Sequence, residues 1–312
     1  MYTTKIFTVG GFGGFVASNI YTAVDSKIEI VAINTDKQAL ASLPDSVTKI
    51  TISPDGFGSG ANPALAYKLA EKRRLTLEKH IEGVDVAILV CGLGKGTGTG
   101  AGQYMAELLK EKGVYTIANI RMPGEFDGST QNRIAKTSIL KMLDTVDAHT
   151  VISNDTLIEC SGKDTLEAAY AEGTQSVSDS ILSLTSMINN SGVRNVDLND
   201  FKAMIFGDFI CRRHRGQIDL KSIERIGLDV KAMETAVIVF EVPVGQSISM
   251  DLFKQVTAAL KAELNPEAEM ITGIITNPDI DQLQVITALG FDKTLYQKRA
   301  QAGSKGGEIS KR

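Results

Sequence analysis

The 312-residue chain has no tryptophan, only three cysteines and three histidines, and few aromatic residues, 6% in all. Cys91, Cys160 and Cys211 are odd in number and far apart, which argues against a disulfide framework and fits reduced thiols. His80, His149 and His214 are scattered, without the spacing of metal ligands, so neither a metal centre nor histidine catalysis is expected. An excess of basic charge is also missing. With 33 Lys and Arg against 37 Asp and Glu the formal net charge is -4, which leaves no electrostatic footprint for nucleic acid or an anionic membrane. Long uncharged apolar runs are absent, which excludes a membrane-spanning helix, and Met1-Tyr2-Thr3-Thr4-Lys5 leads into a strand rather than a signal peptide. A cytoplasmic location is expected. The remaining balance, 43% hydrophobic and 22% charged, is that of a globular chain with one large or two moderate cores.

What the chain does have is glycine in a few places. Gly92, Gly94, Gly96, Gly98, Gly100 and Gly102 alternate with mostly small residues between the apolar run Val84 to Val90 and the helix-like Gln103 to Lys112. A buried strand feeding a glycine-rich turn that opens a helix suits an anion. Without Cβ atoms the backbone approaches closely, its N–H groups face the ligand, Thr97 and Thr99 add hydroxyls, and the helix adds the positive end of its dipole. The stretch reads as a phosphate cradle.

The same order of elements recurs. Ile6 to Val9 runs into Gly10-Gly11-Phe12-Gly13-Gly14 and a helical repeat of Val16, Ile20 and Ala23. Ile28 to Ile33 ends in Asn34-Thr35-Asp36. Val47 to Ile52 precedes the loop Gly56 to Asn62, with Pro63 starting a helix to about His80. Val114 to Ile120 and a strand ending at Ile152, before Asn154-Asp155, complete a doubly wound parallel α/β domain over 1–163. Leu166 to Ile188 has the spacing of one long central helix, placed at 164–192, and 193–297 reads as a smaller α+β domain. Within it Thr235 to Val242, Met270 to Thr276 and Gln282 to Leu289 are strands, and Met250 to Leu264 is a helix with Leu252, Val256, Ala259 and Leu260 inward. Residues 298–312 lack apolar period and are expected to be a mobile, mildly basic tail.

The polar turns all fall at the carboxyl ends of strands, the edge where such sheets bind nucleotides. The common fingerprints nevertheless fail. Gly96 rather than Ser or Thr follows Gly94-Lys95, Leu89 stands where a P-loop begins, and Val16 replaces the last glycine of the dinucleotide motif. Gly92 to Gly100, however, resembles the signature of the tubulin and FtsZ superfamily of GTPases, its FtsZ branch in particular. Ala32 to Leu40, Gly60 to Pro63, Asn154-Asp155 and Asn195 to Asp200 are similar to FtsZ blocks in the same order, over roughly residues 5 to 290.

The resemblance implies a self-assembling GTPase that uses GTP, GDP and Mg²⁺. It implies that Gly10, Gly11, Gly13, Gly14, Gly94, Gly96, Thr97, Gly98, Thr99 and Gly100 hold phosphates, with Asn34 and Asp36 near the ribose and phosphates. Gly60, Ala61 and Asn62 belong to the same pocket, Pro123 and Asp127 to a sugar-contacting loop, and Asn154, Tyr170 and Thr174 to the base. It further implies that a second copy, stacked head to tail, brings Asp197 and Asp200, with Asn195 beside them, to the attacking water. Taken alone, Asp197 and Asp200 read as ordinary helix capping before Phe201.

Departures from the FtsZ pattern are definite. Phe12 and Phe15 replace Gly and Asn, Lys95 replaces a further glycine, Thr174 stands where an Asp or Asn reads guanine, and Gln131 replaces an Arg for which Arg133 is a substitute. After Phe291 no long linker leads to a partner-binding peptide, so a division-ring role competes with segregation of DNA or other cargo through an adaptor. Direct nucleic-acid binding and membrane insertion are not expected. The rival readings are a non-polymerising nucleotide-binding regulator of the same fold and, further off, a dinucleotide-dependent oxidoreductase. Cys91 reads as a small core residue and Arg212-Arg213-His214-Arg215 as a solvated turn.

Overall fold

The computed structural model describes residues 2–161, 165–216 and 229–291, so the expected tail lies outside the described residues. The chain forms two compact units, Met1–Ser191 and Gly192–Arg312. In the first, β1 (Thr4–Val9), β2 (Glu29–Asn34), β3 (Thr48–Thr51), β4 (Val86–Gly92), β5 (Tyr115–Met122) and β6 (Ala148–Ser153) lie in the order β3-β2-β1-β4-β5-β6. Every pairing among them is parallel. A parallel sheet must be covered on both faces, and the central strand β4 is accordingly without a polar side chain. Val86, Ala87, Ile88, Leu89, Val90 and Cys91 are all fully buried.

The crossovers are α1 (Gly10–Ile20), α2 (Lys37–Ala41), α3 (Pro63–Lys72), α4 (Arg74–Ile81), α5 (Gly96–Glu111) and α6 (Ser129–Leu143), and α7 (Asn154–Ser161) and α8 (Leu166–Asn189) follow β6. Strand order reverses between β1 and β4, so the turns after these two strands open side by side at one edge. Both turns are glycine-rich. The glycines are less loop-like than their composition suggests, because α1 starts at Gly10 and α5 at Gly96, well before Gln103. Only Gly10 and Gly94 in these two stretches take positive φ, 77° and 100°. The expected single helix from Pro63 is two, α3 and α4, divided at Arg73, whose φ of -97° and ψ of 13° interrupt the helical ladder.

The second unit contains α9 (Leu198–Met204), β7 (Gly207–Arg215), β8 (Met233–Pro243), α10 (Met250–Glu263), β9 (Glu269–Asn277) and β10 (Gln284–Phe291). Its strands run β7-β10-β8-β9, antiparallel except for β8 with β9. Two expectations are corrected here. Arg212 to Arg215 form the end of β7, where His214 is buried against the Thr287 hydroxyl at 3.0 Å and Arg213 pairs with the fully buried Glu241. The inward face of α10 is Phe253, Val256 and Leu260, continued by Leu264, while Leu252 and Ala259 are exposed. The rings of Phe253 and Phe240 lie 5.0 Å apart, and this large aromatic contact sets the rotation of the helix.

Candidate functional site

Helix starts leave N–H groups without partners, and side-chain caps normally take them up. Asp36, Asn62 and Thr165 do so for α2, α3 and α8. Val9 and Lys95, which precede α1 and α5, make no side-chain cap hydrogen bond. These two uncapped starts converge, since a Cβ added to Gly10 would lie 2.9 Å from the backbone nitrogen of Gly98. Two positive dipole ends aimed at one place, walled by backbone, favour an anion.

The alternating glycines create that convergence by close packing. A Cβ on Gly98 would overlap the Gly92 carbonyl oxygen, one on Gly100 the Pro63 carbonyl oxygen, and one on Gly96 the Ser59 hydroxyl. Gly13 is pressed against Thr8, and Gly94 against Pro123 and the Gln131 backbone. Gly11 and Gly14 are open enough to accept a methyl group. Of the two threonines, only Thr97 presents its hydroxyl to the cradle, 2.7 Å from the Thr35 hydroxyl and 3.4 Å from that of Ser59. Thr99 is 2% exposed and accepts the Gly94 N–H at 3.0 Å, so it fixes the loop from within.

Beside the cradle a cavity of about 160 Å³ is lined by Gly10, Gly11, Gly14, Phe15, Asn34 and Leu43, among others. Asn34 accepts the Asp36 N–H at 3.2 Å. Asp36 itself accepts from the Gln38 and Ala39 N–H groups at 2.8 and 3.2 Å, which is its capping role. Asn62 caps α3 through the Leu65 N–H at 3.1 Å. Gly60 and Ala61 both have φ of 56°, and for Ala61 that left-handed conformation carries strain on an exposed loop. Lys95 and Arg133 are exposed.

The remaining nucleotide candidates meet around a residue that sequence reading missed. Arg121, at the end of β5, is 9% exposed, and its guanidinium carbon lies 5.0 Å from the Phe12 ring centre and 4.8 Å from that of Tyr170. Its Nε donates to Asn154 Oδ1 and its Nη1 donates to the Thr174 hydroxyl at 3.4 Å. Asn154 in turn donates to Asp127 Oδ2 at 2.7 Å and to the Tyr170 hydroxyl at 3.4 Å. Burial lowers the Arg121 pKa, against the attraction of Tyr170 and Asp127, and burial together with Asp127 raises that of Tyr170. A signal was present in the sequence, an arginine inside the mostly apolar Ile117 to Met122, but a lone cation at a strand end reads as surface.

Asn195, Asp197 and Asp200 belong to the second unit and are all exposed. Asp197 is the N-cap of α9 and accepts the Asp200 N–H at 2.8 Å, while Asn195 accepts the Gly192 N–H at 2.7 Å. Cys91 is fully buried with its Sγ 3.6 Å from Met142 Sδ, and burial pushes its thiol up to about 12, which makes it inert. Among the described residues no group of three or more His, Cys, Asp or Glu side chains is placed to hold a metal ion. No helix among them is long and apolar enough to cross a membrane.

The family model described as "Tubulin/FtsZ family, GTPase domain" matches residues 3–162, the whole run of elements that builds the cradle. The chain belongs to the tubulin/FtsZ family. Within it the resemblance to FtsZ is divergent: the chain is 28% identical over 309 residues to the cell division protein FtsZ of Coxiella burnetii, covering 92% of this chain and 78% of that protein. Among solved structures it superposes on an empty FtsZ dimer from M. jannaschii with a TM-score of 0.79 at 22% identity, covering 93% of this chain and 88% of that one. CetZ1 from Haloferax volcanii, a GDP-bound monomer, gives 0.76 at 18% identity, covering 99% and 100%. CetZ2 of the same organism, a GTPgS-bound protofilament, gives 0.73 at 19%, with the same coverage. At these identities the likeness to the solved structures is one of fold. The family match also speaks against the oxidoreductase reading, and Asp36, the acidic residue after β2 that such a reading would use, is seen capping α2.

Proposed function

We propose that this protein binds and hydrolyses GTP and polymerises head to tail, each GTPase site being completed by the next subunit. The observation that carries the binding reading is the meeting of two uncapped helix N-termini at Gly10 and Gly98. Gly10, Gly11 and the first turn of α5 take the phosphates, Thr97 contributes a hydroxyl, Asn34 faces the sugar side, and Asn154 with Tyr170 and Thr174 faces the base. Mg²⁺ fits as an ion that arrives with the nucleotide. As a hard cation it would take oxygen ligands, and the Thr97 hydroxyl is the side-chain oxygen of the cradle that could help hold it, since no carboxylate cluster stands among the described residues. The chemistry it would supply is neutralisation of charge on the phosphates.

Carboxylates fixed beside a γ-phosphate would repel the nucleotide before any reaction. Supplied by a second copy, they position water only after assembly, which couples hydrolysis to polymerisation. The exposure of Asp197 and Asp200 supports this reading, because neither is consumed by a buried ion pair. A head-to-tail contact that does not close generates a filament. The likeness to a protofilament fold is consistent with it, and cell division or cargo positioning through an adaptor is the cellular role.

The test separates binding from chemistry. Asp200→Ala is expected to bind GTP as wild type and to sediment as polymer, with phosphate release lowered at least about 100-fold, the scale lost with one positioned catalytic group. Wild-type turnover in this variant would remove the role given to Asp200. Normal GTP binding with no polymer in either protein would favour the non-polymerising regulator.

A further inference from the structure

The guanidinium of Arg121 sits where the candidate base residues converge, and it is not fully satisfied. Nε and Nη1 have acceptors, but Nη2 is buried without a hydrogen-bond partner among the described residues. A buried, unpaired donor on a charged group is costly, and such a group calls for an explanation. The guanidinium lies over the rings of Phe12 from α1 and Tyr170 from α8, and Asn154 from α7 holds its Nε, so three helices locate one donor at the end of β5. Asp127 acts one step further out. By accepting from Asn154 Nδ2 it turns the amide so that Oδ1 faces the guanidinium. The Thr174 hydroxyl donates to its own helix, at the Tyr170 carbonyl 2.8 Å away, and so has its oxygen free to accept from Nη1.

We propose that Arg121 is the base-reading residue of this site, with Nη2 reserved for the acceptor edge of a 6-oxopurine. The proposal rests on the nucleotide reading of the glycine cradle and specifies its base. The two N–H groups of Nη2 match the adjacent O6 and N7 acceptors of guanine, and they oppose the 6-amino donor of adenine. A donor set reads the base differently from an acceptor set. Nothing in this cluster requires the 2-amino group, so hypoxanthine is accepted as well as guanine, and loss of N7 is felt.

The experiment is a competition series on the full chain, with a fluorescent GDP displaced by GDP, IDP, 7-deaza-GDP and ADP. Expected for wild type are IDP within about 3-fold of GDP, and ADP and 7-deaza-GDP weaker by on the order of 5- to 150-fold, the discrimination of a bidentate base contact. Arg121→Ala should bring GDP and ADP to nearly equal affinity, and Arg121→Lys should recover only part of the preference, since it restores the charge but not the fork. IDP more than 10-fold weaker than GDP with 7-deaza-GDP undiminished would overturn the proposal, showing that the N1 and 2-amino edge is read. A tighter-binding Arg121→Ala with unchanged selectivity would overturn it too, making Arg121 a plug. Should that variant not fold, the wild-type analogue series alone decides. If wild type binds none of the four, the nucleotide reading itself falls, whereas GDP binding with the wrong base pattern sinks this inference alone.

Discussion

At Gly98 and Gly11 the same residue type does two different jobs. Gly98 is needed because a β-carbon would overlap the Gly92 carbonyl, whereas Gly11 has open space above it and an ordinary backbone conformation. Gly98→Ala is therefore expected to lower stability by about 1–3 kcal/mol, the usual cost of overpacking, seen as a reduced Tm and denaturation midpoint. Gly11→Ala is expected to leave Tm unchanged and to weaken nucleotide binding, since its methyl group occupies the edge of the cradle. Equal Tm losses in both variants would show that neither glycine faces a ligand. Alternation of glycine singled out the candidate cradle in the sequence, but not the division of labour, which depends on which backbone lies opposite. Arg121 was illegible for a related reason. A cation at the end of an apolar strand looks solvent-facing until Phe12, Asn154, Tyr170 and Thr174, distant in sequence, are brought around it.

Strands and their order of alternation with helices were readable from apolar runs because a parallel sheet buries both faces of each strand. The misreadings lie where local pattern and packing diverge. Arg212 to Arg215 carry charge into β7, where buried Glu241 holds Arg213, and α10 is rotated by Phe253 rather than Leu252. Between α3 and α5 the Tyr67 hydroxyl donates to Glu107 at 2.5 Å, which pushes the phenol up to about 12. Lys141 and Gln103 also hold Glu107. Burial raises the Glu107 pKa, yet these three contacts outweigh it and leave the carboxyl below its ordinary 4.5. A depressed folded pKa stabilises above the unfolded value and is lost as pH falls through the folded one. Stability should therefore decline below about pH 4.5, and Glu107→Gln should flatten that decline in Tm measured between pH 6 and 3. An unchanged acid slope would show that this cluster contributes nothing to the linkage. Tyr67→Phe, which removes one hydrogen bond, is expected to cost about 0.5–1.5 kcal/mol in denaturant unfolding.

For the whole molecule, the two compact units divide the chemistry that the GTPase reading requires. The phosphate cradle and base cluster belong to Met1–Ser191, and Asn195, Asp197 and Asp200 to the unit that starts at Gly192. The tubulin/FtsZ family match spans the cradle, Arg121, Asp127 and Asn154 but not Tyr170 or Thr174, and the proposed site shared between copies would account for the second set. Such a site makes turnover depend on assembly. The measurement that tests this most directly follows right-angle light scattering and phosphate release together, with Mg²⁺ and GTP, over a range of protein concentrations and beside GDP and ATP controls. Scattering that rises with GTP alone, and phosphate release that increases more steeply than protein concentration, is the predicted result. Release that stays proportional to protein concentration, with no scattering, would contradict a hydrolytic site shared between subunits.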